Sequence, residues 1–323
     1  MDPKKAETSS HQSRAVSFPR RLSHDSAEAI NAVESVHQFA TLQLIGMAQW
    51  ATDRECHDCL RSIAARVDDL FRTLTEEARS GQLRPLFHIG LAERDQPVLM
   101  ESAPVRVGFY PVAANPLHWG HILVALSAMV QRKLDKIVFV VAGRDRRKPS
   151  MTSEETRHRL GRSVIESFRP LFAYSSLALG TDFDGETNLG RLLRLNSRQP
   201  MEVSYIAGGD HCRRASPDGE PDTIEKLERV VRENGNPRHR ITAVFVNREG
   251  SPQAPQSVET FLDVHILPQI PFSFSSTAAR KALCEDAFCV ALVSLPYSCL
   301  LEIRTGGMYA GKADCTEELD RPF

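Results

Sequence analysis

The chain has 323 residues, with 40 Lys plus Arg against 41 Asp plus Glu and a formal net charge of −1. That balance gives no general electrostatic reason for a nucleic-acid or anionic-membrane partner, so any phosphate binding must come from a local cluster. Seven scattered cysteines, an odd number, argue against a disulfide framework; no secretory apolar segment opens the chain, and the longest apolar run, Phe288 to Leu295, is too short to span a bilayer. The expectation is a cytoplasmic, reduced protein.

Residues 1–24 are rich in Ser, Lys and Arg without periodicity and read as a disordered arm. Asp2 and Glu7 interrupt the basic character that a mitochondrial leader would need. Residues 25–103 read as a helical extension. Asp25-Ser-Ala-Glu28 and Thr52-Asp-Arg-Glu55 both have capping-box spacing ahead of a periodic segment. In the second segment Leu60, Ile63, Val67, Leu70 and Leu74 recur at steps of three and four, and Ser80-Gly81 supplies a stop. That apolar seam must be covered, either by the first helix in a hairpin or by a second copy of the chain in a homodimer. Cys56-His-Asp-Cys59 has the spacing of half a zinc site, but no second pair is evident, and structural filler is the favoured reading.

From about Ala103 the texture becomes alternating strands and helices, and residues 104–323 read as one α/β domain. Val105–Tyr110, Lys136–Ala142, Val203–Ala207, Ile241–Val246 and Val264–Leu267 are short runs rich in β-branched residues. Helical patterns such as Leu117 to Leu134 and Asp222 to Asn234 lie between them. The alternation predicts a doubly wound, Rossmann-like α/β fold with a mostly parallel sheet. Ligands in such sheets sit beyond the carboxyl ends of the strands, where strand order reverses.

The first strand runs into Asn115-Pro-Leu-His-Trp-Gly-His121. His118 and His121 are three residues apart at a helix start, so both imidazoles can face one ligand beside the positive end of the helix dipole. A second phosphate-type segment, Phe274-Ser-Ser-Thr-Ala-Ala-Arg280, lies far downstream.

The order of His-Trp-Gly-His, a Lys-Pro followed by a helix bearing Thr and Arg, Gly-Gly-Asp, Asn-Arg-Glu-Gly and Ser-Ser-Thr-x-x-Arg resembles the nucleotidyltransferases with an HxGH signature. Within them it looks most like the nicotinate and nicotinamide mononucleotide adenylyltransferases. The resemblance runs from about Val105 to Tyr309 and leaves out the N-terminal helices. It implies that His118 and His121 hold the ATP phosphates and stabilise charge at the α-phosphorus. Lys148 and Arg280 would join them in catalysis, with Ser275, Ser276, Thr277 and Arg280 gripping the β- and γ-phosphates. Gly108, Asn115, Arg157, Gly208, Asp210 and Arg248 would complete the substrate site, and magnesium would accompany ATP.

The implied reaction transfers AMP from ATP to nicotinate or nicotinamide mononucleotide. Two alternatives stand beside it: a sibling transferase acting on another phosphorylated acceptor, and a catalytically weak nucleotide-binding regulator. The regulator is motivated by the unrelated helical appendage and by one departure that also bears on substrate choice: aligned without gaps, the family's Gly-Gly-Ser-Phe is Pro111-Val112-Ala113-Ala114 here. Several assignments also have plainer readings. Lys148 sits in a basic loop, Arg157 on a polar helix where a salt bridge would explain it, Ser275 where an N-cap is expected, and Arg248 where it could pin its own loop.

Overall fold

The computed structural model describes residues 24–92, 103–145, 151–182, 184–215, 219–248 and 252–309. The expected arm, and Lys148 with its loop, lie outside them. Two long helices come first, α1 (His24–Ala48) and α2 (Arg54–Arg79). The α2 N-cap is Asp53 rather than Thr52: its Oδ1 accepts from the Cys56 N–H at 2.7 Å. The carboxylate is the stronger acceptor and draws the helix start one residue along. Ser80 and Gly81, the latter at φ +73°, end α2 as expected.

The α/β part alternates as β1 (Val105–Val112), α3 (Trp119–Arg132), β2 (Lys136–Val141), α4 (Glu154–Glu166), β3 (Phe172–Ser175), α5 (Gly185–Leu195), β4 (Met201–Gly208), α6 (Thr223–Asn234), β5 (His239–Arg248) and β6 (Asp263–Ile270). It then closes with α7 (Ser276–Cys284), α8 (Phe288–Ser294) and α9 (Tyr297–Thr305). Every pairing is parallel and the strand order is β3-β2-β1-β4-β5-β6. This is the doubly wound arrangement, with its reversal between β1 and β4. β2 is buried at every position, as a central parallel strand covered on both faces must be.

The α2 seam, including Leu60, Ile63, Val67, Leu70, Phe71 and Leu74, is buried against α1 and against α3 and α8. One hydrophobic cluster runs without a break from Val33 and Met47 of α1 through this seam to Leu123 and Leu126 of α3 and Phe139 of β2. The hairpin expectation holds, and the seam is not available to a second copy of the chain. No helix among the described residues is long and apolar enough to cross a membrane. Cys56, Cys59, Cys212, Cys289 and Cys299 are free thiols, whereas Cys284 is disulfide-bonded, a departure from the fully reduced state expected.

The ladder between β1 and β4 stops at Phe109–Tyr205, while β1 continues alongside β2 as far as Val112–Val141. Pro111, which has no N–H to offer a ladder, lies just past that stop. The two strands therefore part at their carboxyl ends, the place where doubly wound sheets form a ligand crevice.

Candidate functional site

Beyond Val112 the chain turns sharply. Ala114 is buried and holds φ +50°, a left-handed conformation that suits glycine better. Aligned without gaps, Ala114 stands at the last position of the resembled family's Gly-Gly-Ser-Phe, and the glycine positions themselves are Pro111 and Val112 here. His118 then caps α3 in an extended conformation and is 5% exposed.

The two motif histidines lie against each other, with ring centroids 3.8 Å apart. The His118 N–H donates to Nδ1 of His121 at 3.2 Å. Nδ1 is thus an acceptor, which places the ring hydrogen of His121 on Nε2, where it can serve as a donor to an anion. Gly120 makes this packing feasible. A Cβ there would come within 2.8 Å of the His118 ring and 2.9 Å of Phe274 Cβ.

The second signature is brought to the same place. Ser275 caps α7, its side chain accepting from the Ala278 N–H at 3.0 Å. Ser276 Oγ donates to the Pro116 carbonyl at 3.0 Å, and Arg280 Nη1 donates to the Asn115 carbonyl at 2.7 Å. The N-termini of α3 and α7 are thereby held together, two sets of backbone donors with the same sign of dipole. Thr277 lies in the first turn of α7, with its hydroxyl 3.4 Å from Arg280 Nη2. Tyr309, not singled out individually at the outset, donates its hydroxyl to Asn115 Oδ1 at 3.2 Å, and burial pushes its pKa up to about 12. Its presence in the resembled C-terminal segment was the available signal.

Across the crevice, β4 ends at Gly208, and a 3-10 turn, Gly209–His211, carries Asp210. Gly209 is a close-approach position, since a Cβ would strike Asn247 Oδ1 and lie 2.9 Å from the Ala254 nitrogen. Asn247, in turn, accepts from that nitrogen at 2.9 Å. Arg248 is the last residue of β5.

Two expected ligands sit elsewhere. Gly108 is in the middle of β1, where a Cβ would collide with Ile137 Cδ1 and come within 3.0 Å of Ile206 and Leu134. It makes room in the core rather than for a nucleotide. Arg157 is 1% exposed and donates through Nε to Thr152 O at 2.8 Å, through Nη1 to Ala113 O at 3.0 Å and Ala142 O at 2.7 Å, and through Nη2 to Gly143 O at 2.6 Å. Four of its N–H groups are committed to main-chain carbonyls, so it clamps the turn after β1 to the end of β2. Neither the expected direct contact with substrate nor the plainer surface salt bridge describes it.

Glu186, also missed, lies at the start of α5 beside the parting strands. It accepts from the Tyr205 hydroxyl at 2.7 Å, and burial with a hydrogen bond to Asp184 raises its pKa to about 7. A buried Glu inside a helix's first turn gives no sequence signal of its own.

Curated relatives bear on this arrangement. A protein of Clostridium botulinum named probable nicotinate-nucleotide adenylyltransferase is 29% identical over 109 residues, covering 32% of this chain and 52% of the relative. One of the same name from Maridesulfovibrio salexigens is 25% identical over 187 residues, covering 55% of this chain and 85% of the relative. The chain resembles nicotinate-nucleotide adenylyltransferases. It spans about half the length of the first of these relatives. A solved nicotinic acid mononucleotide adenylyltransferase of Plasmodium falciparum, complexed with NaAD, aligns at a TM-score of 0.47 and 16% identity, over 64% of this chain and 97% of that one. No family model matches the chain. The fold itself rests on the strand order and parallel pairing.

Proposed function

We propose that the chain transfers AMP from ATP to nicotinate or nicotinamide mononucleotide, releasing pyrophosphate and forming the dinucleotide. The observation that carries this reading is the joining of the α3 and α7 N-termini at the switch point, through Ser276 to Pro116 and Arg280 to Asn115. A mononucleotide phosphate is already mostly dianionic at neutral pH, so it needs no base. One of its oxygens forms a bond to the α-phosphorus of ATP as the bond to the bridging oxygen breaks, and pyrophosphate leaves. The task is to hold two anions in line and offset the charge that builds on the phosphoryl oxygens.

In this reading His118 and His121 donate to the α-phosphate, and the α7 N-terminus with Ser276, Thr277 and Arg280 to the β- and γ-phosphates. Lys148 would reach the same phosphates. Asp210, at the end of β4, would contact the adenosine side. Among the described residues no three His, Cys, Asp or Glu side chains are grouped to hold a metal ion. Magnesium would enter with ATP, held mainly by the nucleotide's own phosphates, and would supply charge neutralisation there.

The test is pyrophosphate release by the full chain with ATP and a panel of phosphorylated acceptors. Release with nicotinate or nicotinamide mononucleotide is expected, and His118→Ala should lower turnover by about 10²-fold or more while leaving the melting temperature near that of the parent. Wild-type turnover in that variant would remove the mechanism. Release with another acceptor alone would move the reading to a sibling transferase. ATP binding without release from any acceptor would identify a nucleotide-binding regulator.

A further inference from the structure

Away from the crevice, two thiols from distant parts of the chain meet. Cys56 is buried in the first turn of α2, and Cys289, half-buried, lies near the start of α8. Cys289 Sγ donates to Asp53 Oδ2 at 3.2 Å and lies 3.1 Å from Thr52 Oγ1. Cys56 Sγ donates to the Cys289 carbonyl at 4.0 Å, and the Cys289 side chain adds to burial in raising the Cys56 thiol pKa. The junction thus joins the N-terminal hairpin to α8, which packs on α7. Asp53 adjoins the pair, but among the described residues no three His, Cys, Asp or Glu side chains are grouped so as to hold a metal ion.

We infer that Cys56 and Cys289 form a modification site, a thiol pair that a small-molecule disulfide such as oxidised glutathione converts into a cross-link between α2 and α8. The more exposed Cys289 sulfur attacks one sulfur of the small disulfide, forming a mixed disulfide and expelling one small-molecule thiolate. The Cys56 sulfur then attacks Cys289 Sγ, the mixed S–S bond breaks and a second thiolate leaves. The two protein thiols lose two electrons and two protons; the reagent gains both and departs as two thiols. Burial pushes the Cys56 thiol up to about 12, so the second step is the slower one and the mixed disulfide forms first. The finished bond closes a loop between positions 233 residues apart and restricts the unfolded chain accordingly.

The experiment treats the full chain with oxidised or reduced glutathione, maps peptides by mass without reduction, and records thermal melts. Expected is a Cys56–Cys289 linked peptide lighter by two hydrogens, with a raised melting temperature that dithiothreitol reverses. Because Cys284 is itself disulfide-bonded, the reversal is read as the difference between the parent and Cys289→Ser. Cys289→Ser and Cys56→Ser should each abolish the oxidative rise, while Cys59→Ser retains it. A stable glutathione adduct on Cys289 with no cross-link, a link to Cys59 instead, or unmodified Cys56 and Cys289 would each overturn the assignment. The inference does not depend on the proposed transferase activity.

Discussion

Arg280 donates to the main-chain carbonyl of Asn115 at 2.7 Å, joining positions 165 residues apart. The contact ties the second signature to the first through backbone, so it fixes geometry independently of any ligand. If α7 holds the ATP phosphates as proposed, Arg280→Ala should lower kcat/KM for ATP by about 10²-fold, because a displacement of that helix by about 1 Å suffices for a loss of that size. Arg280→Lys should recover little, since a lysine cannot reproduce the fork. Pyrophosphate-release kinetics on both variants check this; recovery of near-parental kcat/KM by the lysine would show that charge alone matters.

Arg157 should be a stability residue. Replacing it with Leu leaves the carbonyls of Ala113, Ala142 and Gly143 without that donor in a buried place, at a cost of about 3 kcal/mol or more. Lysine keeps the charge but cannot span the carbonyls, so Arg157→Lys should also destabilise. Urea unfolding of the two variants measures the loss; a change within the error of the parent would show that the clamp is dispensable.

Glu186 should make stability depend on pH near neutrality. Its folded-state pKa, about 7, lies above the ordinary carboxyl value of 4.5, so the folded protein holds a proton that the unfolded chain has already released. Between those values stability falls as pH rises, and above about 7 the full cost of the buried charge is present. Glu186→Gln imitates the protonated form. It should therefore stabilise the fold little at pH 5 and progressively more towards pH 8.5, by up to about 3 kcal/mol, read from urea unfolding at each pH. A constant offset across that range would contradict the assignment.

Ala114 stores a modest strain. Glycine at this φ of +50° relieves about 1 kcal/mol but returns a similar amount as unfolded-state entropy, so Ala114→Gly should be near neutral. Ala114→Val should cost about 2 kcal/mol or more, since a β-branched residue is a true outlier there and the site is fully buried. Thermal melts of the pair separate this from a simple volume effect, for which glycine would be the more damaging change.

The β-branched runs, and the histidine pair between strand and helix, were legible because burial on both faces and helix spacing leave strong patterns. β3 was not: Phe172–Ser175 is four residues long and carries no alternation. Asp53 took the cap expected of Thr52 because side-chain acceptors one residue apart compete, and spacing alone does not rank them. Gly108 and Arg157 were misplaced for a common reason. A motif position reports that a residue type is required, while only three-dimensional packing tells whether its neighbours are a nucleotide, Ile137 and Leu134, or main-chain carbonyls. Glu186 and Tyr205 meet only because β4 returns beside β1.

The uninterrupted cluster from Val33 to Phe139 makes the first helices an inner wall of the molecule rather than a removable handle. Cutting them away would bare the side of α3 opposite the sheet, and with it the scaffold on which His118 and His121 are mounted. A shortened version of this chain would therefore need a redesigned surface before it needed a redesigned active site.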